Sequence, residues 1–269
     1  MDGTLSIVGT GKMGEALLTG LLRSGWVEPG QVTCTARRKE RCDELAASHA
    51  VGVTTDNRDA IERADVVVLA VKPQTAPELL TDIGSAFRTD QTVISVIAGV
   101  PTRTIEAAVT DRVPVVRVMS NVPVLVDEAM SVVCAGAHAS DHHLETAEQV
   151  FGHVGKVLRL AEEHLDSVTA LSGSGPAYFF LLAEAMIDAG ILLGLPRDVA
   201  TELIIQTMVG SAKMLRDTGK HPVELREMVT SPGGTTIAAI RELEQARVRA
   251  AFLNAIEAAK RRSAELAGS

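Results

Sequence analysis

Short β-branched runs alternate with helical segments through roughly the first 160 residues of this chain, and after about Glu163 no convincing strand occurs. Alternation of this kind builds a parallel sheet, because each strand must return to the same end through a helical crossover. Strands are expected at Leu5–Val8, Val32–Thr35, Thr92–Ile97 and Val115–Met119, with a weaker one near Val51–Val53. Asp65–Val71 is the clearest, a continuous apolar run of the kind buried on both faces, closed by Lys72-Pro73. Ser131–Cys134 and Lys156–Leu158 read as closing strands. The expected fold class is α/β: an N-terminal doubly wound sheet over residues 1–162, then an all-helical domain over residues 163–269.

The helical half carries a constraint of its own. One helix runs through Ala177–Met186 and is hydrophobic nearly all round; the next is expected to start at Pro196, a favoured first-turn position, and to reach about Arg216. A helix without a polar face must be covered on every side, and about 100 helical residues offer too few partners. Contact with a second subunit would cover it; burial against the sheet half is the competing arrangement.

Composition removes several function classes. A formal net charge of −8 and an aromatic content of 3% leave neither a basic face nor stacking platforms, so no nucleic-acid partner is expected. Cys34, Cys42 and Cys134 show no CxxC spacing, which points to a reducing, cytoplasmic setting. The first residues run straight into a strand without a basic leader, and the longest apolar stretches are interrupted before about 18 residues, so no membrane span is expected. The histidines, His142-His143 included, lack metal-ligand spacing, and no metal is expected.

Gly9-Thr10-Gly11-Lys12-Met13-Gly14 lies between the first strand and the first helix, the context in which GxGxxG reads as a dinucleotide fingerprint. The first glycine permits a tight turn, the second lets a pyrophosphate approach the backbone, and the third lets helix pack closely on strand. The sheet half is therefore expected to be Rossmann-like. A NAD site would place Asp or Glu at the end of the second strand, but Thr35 is followed by Ala36-Arg37-Arg38. An arginine pair suits the 2′-phosphate of NADPH; two solvated residues opening a helix is the plainer alternative. Ala70-Val71-Lys72-Pro73 closes the fourth strand at the carboxyl edge of the sheet, where open α/β sheets bind ligands. Lys72 faces ribose or phosphate there, or solvent. Asn57 opens the third helix, where capping is its ordinary role.

A second glycine-rich segment, Ser231-Pro232-Gly233-Gly234-Thr235-Thr236, opens onto an amphipathic helix. Its backbone N–H groups suit a small anion at a helix start; a turn with a hydroxyl cap is the alternative. Ser172-Gly173-Ser174-Gly175 has the outline of a nucleophile elbow but lacks the strand–turn–helix setting. Its small residues suit close approach of helices or of a nicotinamide.

Taken in order, the segments IVGTGKMGEALL, LAVKP, VRVMSNVP, TALSGSGPAYFF and VTSPGGTT span essentially the whole chain and together resemble the pyrroline-5-carboxylate reductases, which complete proline synthesis. The resemblance implies a Rossmann domain followed by a helical dimerisation domain, a homodimer whose dimers can assemble further, and an active site built across the dimer. It implies NADPH, with NADH also admitted, as hydride donor to a cyclic imine carboxylate. By position it assigns the cofactor to Gly9, Thr10, Gly11, Lys12, Met13 and Gly14, to Arg37, Arg38 and Asn57, to Ala70, Val71, Lys72 and Pro73, and to Ala98 beside the nicotinamide. Glu162, Gly233, Gly234, Thr235 and Thr236 fall to the substrate. Thr236 and Ser231 are the candidates to orient the imine nitrogen; an unperturbed Thr hydroxyl is too weak to be a general acid, so positioning is its expected role.

Two departures stand out. Relatives commonly carry Met-Pro-Asn-Thr-Pro where this chain has Met119-Ser120-Asn121-Val122-Pro123, and Asn where it has Met228. A relative that reduces a six-membered imine such as a piperideine carboxylate, or a silent NADP-binding regulator, are the alternatives. The intact 231–236 loop argues against the regulator.

Overall fold

The computed structural model describes Met1 and residues 3–267. Two compact units are present: Met1–Ser174 joined by the end of the chain from Ala259, and Gly175–Ala258.

The first unit is built on eight strands: β1 Leu5–Val8, β2 Val32–Thr35, β3 Gly52–Thr54, β4 Val66–Leu69, β5 Thr92–Ser95, β6 Val115–Met119, β7 Ala129–Ala135 and β8 Gly155–Arg159. Between them run α1 (Lys12–Arg23), α2 (Lys39–His49), α3 (Asn57–Glu62), α4 (Ala76–Ile83), α5 (Thr102–Glu106) and α6 (Asp141–Gly152). The strand order is β3-β2-β1-β4-β5-β6-β7-β8, parallel throughout except for the antiparallel β6–β7 pair. The winding direction reverses between β1 and β4, which opens a crevice at their carboxyl ends.

Residues alternate between two cores because strand side chains alternate faces. Ile7, Val68, Ile94 and Val116 join α1 and α6 in one core; Val8, Val67, Val93 and Val115 join α3, α4 and α5 in the other. The sheet is thus covered on both faces, as the continuous apolar run of β4 requires. The weak strand expected near Val51–Val53 forms one residue later, as the edge strand β3.

Beyond β8 the first unit continues through α7 (Leu165–Val168) and a π-helical turn at Thr169–Gly173. The strand pattern places a boundary at 162/163, shortly after β8 ends at Arg159, whereas the compact unit reaches Ser174. Leu165 is buried with Val132 and Cys134 of β7, and the Asn121 amide donates to the Ser172 carbonyl at 3.1 Å. Gly173 approaches Met119 so closely that an added Cβ would lie 2.3 Å from its Cε. Ser172 and Gly173 thus serve a close approach to the sheet.

The second unit contains α8 (Gly175–Leu192), α9 (Arg197–Thr218), α10 (Pro222–Met228), α11 (Thr235–Gln245) and the first part of α12 (Val248–Ala267). Pro196 caps α9 rather than opening it. Gly190 lets α8 and α9 touch; an added Cβ would stand 2.8 Å from the Ala200 Cβ. Only Gly175 of α8 is buried, and Phe179, Phe180 and Leu181 are each at least 60% exposed. Glu162–Leu192 is apolar over a longer stretch than the expected interruptions before about 18 residues allow, long enough to cross a membrane by length and composition, but one run of this kind does not by itself make a membrane span.

Candidate active site

β1 ends at Val8 and the chain turns at once. Gly9 adopts φ +81°, and an added Cβ would lie 2.3 Å from Val71 Cγ1, so glycine is required twice over. The tip of β2 holds the turn: the Gly9 N–H donates to Thr35 Oγ1 at 3.0 Å and the Thr10 N–H to the Thr35 carbonyl at 2.8 Å. The buried Thr10 hydroxyl closes it on the Ile7 carbonyl at 3.0 Å. Gly11 faces open space, its added Cβ meeting nothing nearer than the Gly9 carbonyl oxygen at 3.9 Å. It caps α1 with no side-chain hydrogen bond, leaving that helix start available to an anion. Gly14 serves packing, with an added Cβ 3.1 Å from Ile7 Cγ2 and 3.4 Å from the Ala70 Cβ.

A cavity of about 910 Å³ opens at this point, lined by Gly9, Thr10 and Gly11, by Thr35–Arg38, by Asn57 and by Ala70–Lys72. Its position is the switch point between β1 and β4, where a doubly wound sheet receives its ligand. A backbone cradle that a Cβ would fill, a helix start without a cap and paired guanidiniums fit a dinucleotide phosphate chain with a 2′-phosphate. Arg37 and Arg38 are exposed in the cavity wall and form no ion pair among the described residues. The capping role open to Asn57 belongs to its neighbour. Asp56 caps α3, accepting from the N–H groups of Arg58 at 2.9 Å and Asp59 at 3.2 Å, and Asn57 is left in the cavity wall.

Lys12, Met13, Pro73 and Ala98 do not line this cavity. Lys12 is exposed, Met13 packs against the core beneath α1, and Pro73 opens a short 3-10 turn, Pro73–Thr75. Ala98 is exposed in the loop after β5. Arg41 of α2, which no sequence pattern singles out, does line it. Its guanidinium binds Glu44 at 3.0 Å and also Glu15 of α1. Hydrogen bonds to Glu44 and Glu15 raise its already high pKa.

Glu162 is committed elsewhere in the first unit. It accepts from the Thr102 N–H at 2.8 Å, the Thr102 hydroxyl at 2.7 Å and the buried Arg117 guanidinium at 2.9 Å. Burial pushes its pKa up, but the bonds from Arg117 and Thr102 outweigh this and hold it below the usual carboxylate value. The carboxylate expected at a substrate is here a tie between β6 and α5. Asn121 is a similar tie, its Oδ1 accepting from the Met130 N–H at 2.9 Å.

In the second unit, Ser231–Gly234 forms a turn closed by the Gly234 N–H on the Ser231 carbonyl at 3.1 Å. Gly233 has φ +68°, and an added Cβ on Gly234 would lie 2.3 Å from Ser231 Oγ. Gly234 is the N-cap of α11 and no side chain caps it. Thr235 and Thr236 are therefore the first two helical residues, and neither hydroxyl is spent as a cap.

Residues 162–266 match the family model described as pyrroline-5-carboxylate reductase dimerisation, and residues 4–99 match one described as NADP oxidoreductase, coenzyme F420-dependent. The chain is 43% identical to the pyrroline-5-carboxylate reductase of Corynebacterium melassecola, over 98% of each protein. The solved pyrroline-5-carboxylate reductase of Coxiella burnetii agrees with it at TM-score 0.91 and 37% identity, over 99% of each chain. The pyrroline carboxylate reductase of Plasmodium falciparum, solved with NADP bound, agrees at TM-score 0.89 and 28% identity, covering 99% of this chain and 98% of that one. Identity at this level along the full length, joined to the glycine cradle at β1 and the open helix start at Gly234, shows that the chain belongs to the pyrroline-5-carboxylate reductase family.

Proposed function

We propose that this chain reduces 1-pyrroline-5-carboxylate to L-proline with NADPH, working as a homodimer in the cytoplasm. The observation that carries the substrate half is the α11 start: Gly233 turns the chain at φ +68°, Gly234 leaves room beside the Ser231 hydroxyl, and no side chain caps the helix end. That leaves the N–H groups of Thr235 and Thr236 for the ring carboxylate, where the helix dipole adds to their hydrogen bonds. The Thr236 hydroxyl, or that of Ser231, is set to hydrogen-bond the ring nitrogen and orient the imine carbon.

When bound, the cofactor supplies the hydride. The chain's own residues bind and orient. Gly9 and Gly11 let the pyrophosphate reach the α1 start, while Arg37 and Arg38 meet the 2′-phosphate. Asn57 and Lys72 are assigned to the ribose side of the same wall, and Ala98 to the nicotinamide. Glu162 supports the site indirectly, through α5. Homodimerisation is supported by the match to the dimerisation model and by the apolar surface of α8 that a single chain leaves open. The same surface accounts for the apolar run at 162–192 without a bilayer. Further assembly of dimers is compatible with this arrangement. The test is product analysis: purified chain given 1-pyrroline-5-carboxylate and NADPH should form L-proline in step with cofactor oxidation. Absence of proline would reject the proposal.

A further inference from the structure

Three cations approach the adenosine end of the cavity wall, but they are not equivalent. Arg37 and Arg38 leave the tip of β2 exposed and without ion pairs among the described residues, whereas Arg41 is shielded and doubly paired. Its side chain is 24% exposed, lines the same cavity, and faces Glu44 on its own helix and Glu15 in the first turn of α1. Glu15 also lies 3.5 Å from His49 Nε2 at the far end of α2. One guanidinium facing two carboxylates leaves this corner with no surplus positive charge. A planar guanidinium is nonetheless suited to a phosphate, which it can meet with two parallel N–H bonds. Mutual attraction alone would favour Arg41 on a 2′-phosphate; Glu15 and Glu44 compete for it.

We propose that Arg41 is a masked third guanidinium of the 2′-phosphate pocket, and that Glu15 and Glu44, by holding it, limit how strongly the chain prefers NADPH over NADH. This rests on the reading that the cavity receives the cofactor's adenosine ribose. Glu15 and Glu44 are then specificity-setting residues that touch no substrate. Freed of either one, the Arg41 fork gains a phosphate partner that NADPH has and NADH lacks.

The test is direct binding of NADPH and of NADH, measured by calorimetry without imine substrate, for the intact chain, Glu15→Gln, Glu44→Gln, the double variant, and each of these with Arg41→Met. The expected result is a tightening of NADPH binding by about threefold or more in the double variant, the scale of an exposed charge pair. NADH should change by less than twofold, and the gain should vanish when Arg41→Met is added. NADH binding also reports that each variant is folded. Equal gains for both nucleotides, a gain that survives Arg41→Met, or weaker NADPH binding would overturn the masking while leaving the cofactor site in place. If the intact chain bound neither nucleotide, the cofactor reading itself would fall, and the masking with it.

Discussion

The Glu162 carboxylate grips Thr102 at two points, accepting from its backbone N–H at 2.8 Å and from its hydroxyl at 2.7 Å, while Arg117 holds the same carboxylate from β6. Removing one partner strands the other. Glu162→Ala should leave the Arg117 guanidinium, buried in β6, without its counter-charge and cost about 2–4 kcal/mol. The chemical denaturation midpoint should fall accordingly, and an unchanged midpoint would show that the tie contributes nothing.

The same contact sets a pH dependence. The pKa of Glu162 is lowered in the folded chain, so its contribution to stability is present above the unfolded carboxylate value and is lost as pH falls through the lower folded value. Stability followed from neutral pH into the acid range should decline less steeply for Glu162→Gln than for the unaltered chain. Parallel curves would remove Glu162 from the titration.

Gly9→Ala tests the cradle. The alanine would have to adopt φ +81° and push its Cβ into Val71, a cost of about 1–3 kcal/mol from backbone strain alone. Calorimetry should show dinucleotide binding lost together with lowered thermal stability. Retention of both would mean that the turn can relax.

Arg37→Ala combined with Arg38→Ala should weaken NADPH binding by about tenfold or more and leave NADH nearly unaffected, since only the former carries the 2′-phosphate. Equal losses would return the pair to the solvated surface.

Much of this arrangement was legible in the sequence, for reasons that differ by element. β1, β2 and β6 form over the stretches expected because short β-branched runs set between helical segments admit few alternatives. β7 extends from Ala129 to Ala135, beyond the expected Ser131–Cys134, because pairing on both sides recruits flanking residues that propensity alone does not mark. The glycine roles could be read from spacing, since each glycine answers a steric demand that recurs wherever strand, turn and helix meet a phosphate. Arg41 was not readable in this way. Its pairing with Glu15 depends on α1 and α2 lying side by side, a tertiary fact without a local signature. The family resemblance singles out Glu162, but its partners Thr102 and Arg117 lie far off in the chain, and only the fold assigns them to it.

Subunit contact is tested on α8. Phe180 is 66% exposed in the single chain, and Phe180→Glu should place a charge in the proposed dimer contact. Sedimentation should show a shift from dimer to monomer together with loss of reductase activity. A fully dimeric variant would place the contact elsewhere.

Thr236→Val separates orientation from cofactor binding. kcat/KM for the imine should fall by about tenfold or more, and NADPH binding should stay near normal. Lost NADPH binding instead would show that the residue serves the cofactor.

The central claim is the pairing of NADPH with a five-membered imine carboxylate, and a side-by-side assay tests it most directly. kcat/KM would be measured with 1-pyrroline-5-carboxylate and with a six-membered piperideine carboxylate, each with NADPH and NADH. The highest value is expected for 1-pyrroline-5-carboxylate with NADPH, yielding L-proline. Preference for the six-membered ring, or no turnover of either imine, would contradict the account.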